Sequence, residues 1–132
     1  MTRTEAREQA FLLLFERAFR EESMEDIIQQ AKDGRELNPE GYAVRLAMGA
    51  DEQLIALDDK NQQMSVKWKL NRISKVALTA LRLAVWEMEN IEKVPIGTSI
   101  NDAVELAKKY GGEDDYSFVN GILGSCARKD NK

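Results

Sequence analysis

Between Ser74 and Asn90 the chain is apolar on nearly every side of a helix. Val76, Ala77, Leu78, Ala80, Leu81, Leu83, Ala84, Val85, Trp86 and Met88 leave little surface for water. A helix with no wet face has to be surrounded, so the rest of the chain must supply the helices that cover it. The expected architecture is all-α, a single-domain bundle of about seven helices with this segment at its centre and Arg82 as its conspicuous interruption.

The flanking sequence supplies those helices. Apolar residues recur at a period near 3.6, and both prolines fall at apparent helix boundaries. Thr2 and Glu5 have capping-box spacing for a first helix with Ala6, Ala10, Leu13 and Leu14 inward, fading after Phe19. Ser23 caps a short helix through Met24, Ile27, Ile28 and Ala31, ended by Gly34. Asn38 and Pro39 open a long third helix carrying Tyr42, Leu46, Ala50, Leu54 and Leu57 on one face. A polar break at Asp58 to Gln63 and a short turn with Val66, Trp68 and Leu70 precede the central helix. Ser99 and Asp102 open the next, with Glu105 and Lys109 as an i,i+4 pair and Gly111 as its stop. Asp114 or Asp115 caps the last, through Val119, Ile122, Leu123 and Cys126. Gly121 and Gly124, three apart inside that helix, suggest a close helix crossing. Two packed subdomains are expected, residues 1–60 and 64–128, with a frayed tail at 128–132.

Composition narrows the function. With 43% apolar and 32% charged residues and no biased tract, the chain is expected to fold. No basic start is followed by an apolar leader, and no run approaches a membrane span, so a cytoplasmic protein is expected. A single cysteine, Cys126, fits a reducing compartment. The absence of histidine removes the commonest general base and metal ligand. No phosphate-cradling glycine loop or nucleophile elbow is present, so no enzyme, metal or cofactor is expected, and a binding role gains by elimination.

The charge is unevenly distributed. The net charge is −4, yet Lys60, Lys67, Lys69, Arg72, Lys75 and Arg82 occur between Lys60 and Trp86 without one acid. Such a stretch forms either a positive patch able to neutralise phosphates or an ordinary solvated helix edge. Arg3 and Arg7, spaced i,i+4, either grip one nucleic-acid backbone together or pair with neighbouring glutamates. Five consecutive apolar residues, Phe11 to Phe15, exceed what one helix face buries. The candidates for a covered surface are Phe11, Leu12 and Phe15, facing the same domain, a partner, or a second copy.

Two stretches, Ile100-Asn101-Asp102-Ala103-Val104-Glu105-Leu106-Ala107-Lys108-Lys109-Tyr110-Gly111 and Phe118-Val119-Asn120-Gly121-Ile122-Leu123, resemble the signatures of the NusB family. The resemblance extends upstream through Trp86-Glu87-Met88, Leu81-Arg82-Leu83-Ala84, Arg72-Ile73-Ser74-Lys75 and Trp68 to Ala6-Arg7-Glu8 and Ala10, nearly the whole chain. It implies a bacterial, all-helical transcription antitermination factor. Such a factor pairs with the ribosomal protein NusE, binds boxA-type single-stranded RNA, and joins the RNA polymerase antitermination complex. It further implies RNA contacts at Arg3, Arg7, Lys75, Arg82, Asp114, Tyr116 and Phe118, and partner contacts at Phe15 and Ala77 beside Phe11 and Leu12. The arginine motif is thin, because Thr4 and Glu5 stand where many members are basic. RNA affinity is therefore expected to depend on NusE, and a protein-only scaffold or homodimer is the alternative.

Overall fold

In the computed structural model, residues 2–34, 39, 41–65 and 73–130 are described, apart from the side chains of 129 and 130. Among them seven helices follow one another: α1 Arg3–Arg17, α2 Met24–Gly34, α3 Tyr42–Glu52, α4 Leu54–Met64, α5 Lys75–Asn90, α6 Ile96–Tyr110 and α7 Glu113–Asp130. No helix is long and apolar enough to cross a membrane among these residues. The turn expected around Val66, Trp68 and Leu70, and the cap expected at Asn38, lie outside the described residues.

The central position of α5 is confirmed. It packs against α1, α3, α4, α6 and α7, and Ala77 to Leu81 and Leu83 to Glu87 are all buried. Ser74 caps it by accepting from the Ala77 amide at 3.0 Å, and Thr79, which has no wet side to face, returns its hydroxyl to the Lys75 carbonyl at 2.7 Å. Among the other helices, α1, α2 and α3 pack against one another and α7 packs against α4 and α6, while α1 also reaches α6 and α4 touches α3 only lightly.

Several boundaries differ from expectation. The long third helix is two, broken at Gln53, and α4 runs straight through the supposed polar break from Asp58 to Gln63. Asp59, Gln62 and Gln63 of this stretch face solvent, whereas Leu57 and Asn61 are buried on the other side of the helix. α3 starts at Tyr42, where Gly41 supplies a backbone at φ 49°, and Pro39 is not helical. α6 starts at Ile96 with Pro95 at its cap, and Ser99, expected to cap it, lies inside the helix with its hydroxyl donated to Glu87 in the core. Lys109 turns to Glu8 at 2.5 Å rather than to Glu105, which pairs with Lys108 at 3.6 Å.

The glycines also redistribute. Nothing lies within 4 Å of a Cβ built at Gly121, and one at Gly124 meets only the end of Arg128, so neither marks a crossing. The close approach is at Gly49, where a Cβ would fall 2.1 Å from the Trp86 ring. Gly111 is held by space, since a Cβ there would meet Asp115 at 2.3 Å and the Ala107 carbonyl at 2.9 Å.

Candidate nucleic-acid interface

The candidate residues divide into an interior network, a groove at one end of α5 and α6, and a cleft at the other.

The interior network centres on Glu87, which is 1% exposed. The Arg7 Nε donates to both its oxygens at 2.9 Å, Ser99 donates at 2.5 Å, and the Tyr42 hydroxyl donates as well. One carboxylate thereby joins α1, α3, α5 and α6, and its charge is matched by a guanidinium that also reaches Asp102 at 2.7 Å. Burial opposes the charge on Arg7, but the bonds to Glu87 and Asp102 outweigh it and raise its pKa. Burial, reinforced by the bond to Glu87, pushes the Tyr42 phenol up to about 12. This revises the expected pairing of Arg3 with Arg7 on one surface. Arg7 is 4% exposed and committed to two interior carboxylates, so only Arg3 presents a charge to solvent.

Arg3 lies 3.6 Å above the ring of Tyr42, which holds its guanidinium in place without neutralising it. It opens onto a groove lined also by Thr2, Arg45, Asn90, Lys93 and Thr98, at the C-terminal end of α5 and the N-terminal end of α6.

The cleft at the opposite end has a volume of 560 Å³ and is lined by Ile73, Ser74, Ala77, Asp114, Asp115, Ser117 and Phe118. Its rim is fixed by Asp115, which accepts from the Ser74 hydroxyl at 2.7 Å and from the Gly112 amide at 2.9 Å. Of the two candidate caps, Asp115 is therefore the one that reaches back to the start of α7, and the Asp114 side chain stays exposed with no hydrogen bond among the described residues. Phe118 lines the cleft while Tyr116 does not, and the Tyr116 ring instead carries the Lys108 ammonium 5.0 Å from its centre. Two residues apart on a helix, the two rings cannot serve one base together. Ala77 is fully buried and forms part of the cleft floor. Lys75 is exposed at the start of α5.

The basic stretch does not form one free patch among the described residues. Arg82 makes a two-pronged pair with Asp58 at 2.8 and 2.7 Å, and Lys60 lies 3.4 Å from Glu89. Lys67, Lys69 and Arg72 lie outside the described residues.

The apolar run sorts itself as helix geometry requires. Phe11 is 1% exposed and stacks on Tyr110 at 5.3 Å, so it belongs to the core and not to a surface. Leu12 and Phe15 are partly exposed. Sequence reasoning missed that the row continues outward, with Phe15 edge-on to Phe19 at 5.0 Å and Phe19 62% exposed. The i,i+4 spacing of Phe11, Phe15 and Phe19 carried that signal. Glu87 was missed too, although an acid set between Trp86 and Met88 on an otherwise apolar helix marks a buried partner.

Solved structures similar in fold cover 98% of the chain. NusB of T. maritima matches with a TM-score of 0.86 at 35% identity, over 92% of that chain. A crystal structure of antitermination factors NusB and NusE in complex with dsRNA matches with a TM-score of 0.84 at 27% identity, over 99% of that chain. The transcription antitermination protein NusB of Clostridium acetobutylicum is 40% identical over 127 residues, covering 95% of this chain and 94% of the relative. That of Natranaerobius thermophilus is 36% identical over 137 residues, covering 100% and 99%. The family model for NusB matches residues 4–128, which takes in nearly all of the seven helices, and the chain accordingly belongs to the NusB family.

Proposed function

We propose that this protein is a cytoplasmic transcription antitermination factor that binds boxA-type RNA together with NusE and performs no chemistry of its own. The observation that carries the reading is the match, over 98% of the chain, to the NusB fold in a complex holding both NusE and RNA. The surface geometry is compatible with it. Arg3 offers a cation held on an aromatic ring, and Phe118 with Asp114 offers an aromatic face and a free acceptor beside an open cleft. The partly exposed Leu12 and Phe15, extended by Phe19, form the apolar surface we assign to a protein partner. Arg7 and Arg82 are already paired, which leaves few free cations and gives NusE its role in completing the positive surface.

The exposed Phe19 also favours a second reading, in which the same row mediates homodimerisation and RNA binding is weak. Salt separates the two. RNA held through phosphates weakens steeply as salt rises, whereas an apolar dimer does not. Titrating a labelled boxA RNA with and without NusE across a salt series, beside sedimentation of the protein alone, distinguishes them.

A further inference from the structure

The groove beside Arg3 has properties that the family match does not assign. Arg3 comes from α1, Arg45 from α3 and Lys93 from the loop between α5 and α6, and all three are exposed. Arg45 and Lys93 have no carboxylate partner among the described residues, whereas Arg7, Arg17, Arg20, Arg82, Lys108 and Lys109 all do. Glu92 is the one exposed carboxylate among the lining residues. On a chain of net charge −4, three cations from three separate elements in one groove form a local positive field.

The start of α6 adds to it. Pro95 and Thr98 line the groove, Pro95 gives the helix no side-chain cap, and its first turn contains no acid. The Thr98 and Ser99 amides turn back to the Pro95 carbonyl, while those of Ile96 and Gly97 have no acceptor among the described residues. The positive end of a 15-residue helix is thus left uncompensated beside the cations. Gly97 leaves open space where a Cβ would stand, so backbone there is approachable.

We propose that this groove is a phosphate subsite, in which Arg45 and Lys93 grip a phosphodiester of the RNA backbone that the α6 amides and Arg3 flank. The inference rests on the RNA-binding reading and adds two residues that the sequence did not single out. The groove is open to solvent, which suits a passing backbone. It lies at the other end of α6 from the Phe118 cleft, about 20 Å away at 1.5 Å per residue. A short oligonucleotide cannot occupy both, so a backbone grip here requires an RNA that extends along the helices.

The test is the affinity of the protein with NusE for boxA RNA and for a scrambled RNA across a salt series, comparing the native chain with Arg45→Gln/Lys93→Gln. Both side chains are exposed, and an unchanged thermal melt establishes that the variant folds. The subsite predicts that the variant binds both RNAs about tenfold or more weakly, with selectivity preserved. It also predicts a shallower slope of log affinity against log salt, by about 0.7 for each single-strand phosphate that the variant no longer neutralises. Native-like affinity and slope in the variant, with the native chain binding RNA normally, would overturn the subsite and leave the RNA-binding reading standing. Failure of the native chain to bind either RNA would overturn both.

Discussion

Arg7 and Glu87 stand 80 residues apart in the chain, and the Nε of one donates to both carboxylate oxygens of the other at 2.9 Å in the buried centre of the fold. Removing one partner of such a pair leaves an uncompensated buried charge. Arg7→Ala is therefore expected to cost about 3–5 kcal/mol in chemical denaturation, the range for breaking a buried ion pair. An Arg7→Ala protein of native stability that has lost RNA binding would return Arg7 to the surface role its spacing suggested.

Tyr42 gives the same network a pH dependence. Its phenol is raised from 10.0 to about 12, by burial first and the bond to Glu87 second. With the folded value above the unfolded one, the contribution is complete below about pH 10 and fades as pH rises toward 12. The stability difference between the native protein and Tyr42→Phe should shrink over that window. A constant difference would mean that the hydroxyl contributes nothing through its proton.

On the acid side the sign reverses. Hydrogen bonds from Lys109 and then Tyr110 hold the Glu8 carboxyl below its ordinary value, so its contribution is present above about pH 4.5 and is lost as pH falls further. Glu8→Gln should lower stability at neutral pH and converge with the native protein in acid. Parallel curves would remove Glu8 from the α1–α6 contact.

The glycines give a paired prediction. Gly49→Ala places a methyl against Trp86 and should destabilise by about 1–3 kcal/mol, the usual cost of overpacking. Gly121→Ala meets nothing and should stabilise α7 by about 1 kcal/mol through helix propensity. Thermal melts of the two variants moving in the same direction would contradict these environments.

The sequence disclosed what is encoded locally. The all-round apolar α5, the Thr2–Glu5 capping box and the Ser23 cap on the Asp26 amide are each a matter of neighbours within one turn or a few, and each is present in the structure. The break at Gln53, where the backbone leaves the helical region, has no proline or glycine to announce it. Ser99 read as a cap because its spacing to Asp102 is right, but a buried carboxylate from α5 outcompeted the helix end for its hydroxyl. At the site, Arg3 and Phe118 were legible as exposed or cleft-lining groups. Arg7 and Arg82 were not, since nothing near them in sequence names Glu87 or Asp58 as partners. Arg45 and Lys93 emerge only once α3 and the α5–α6 loop meet at Arg3.

The central claim, that this chain reads RNA jointly with NusE, is tested most directly by titrating labelled boxA RNA against the protein, NusE and their mixture, beside a scrambled RNA, at two salt concentrations. The account predicts selective binding that is weak for the protein alone, strong for the mixture, and steeply reduced by salt. Binding by the mixture that does not distinguish the two RNAs, or no binding at all, would contradict it.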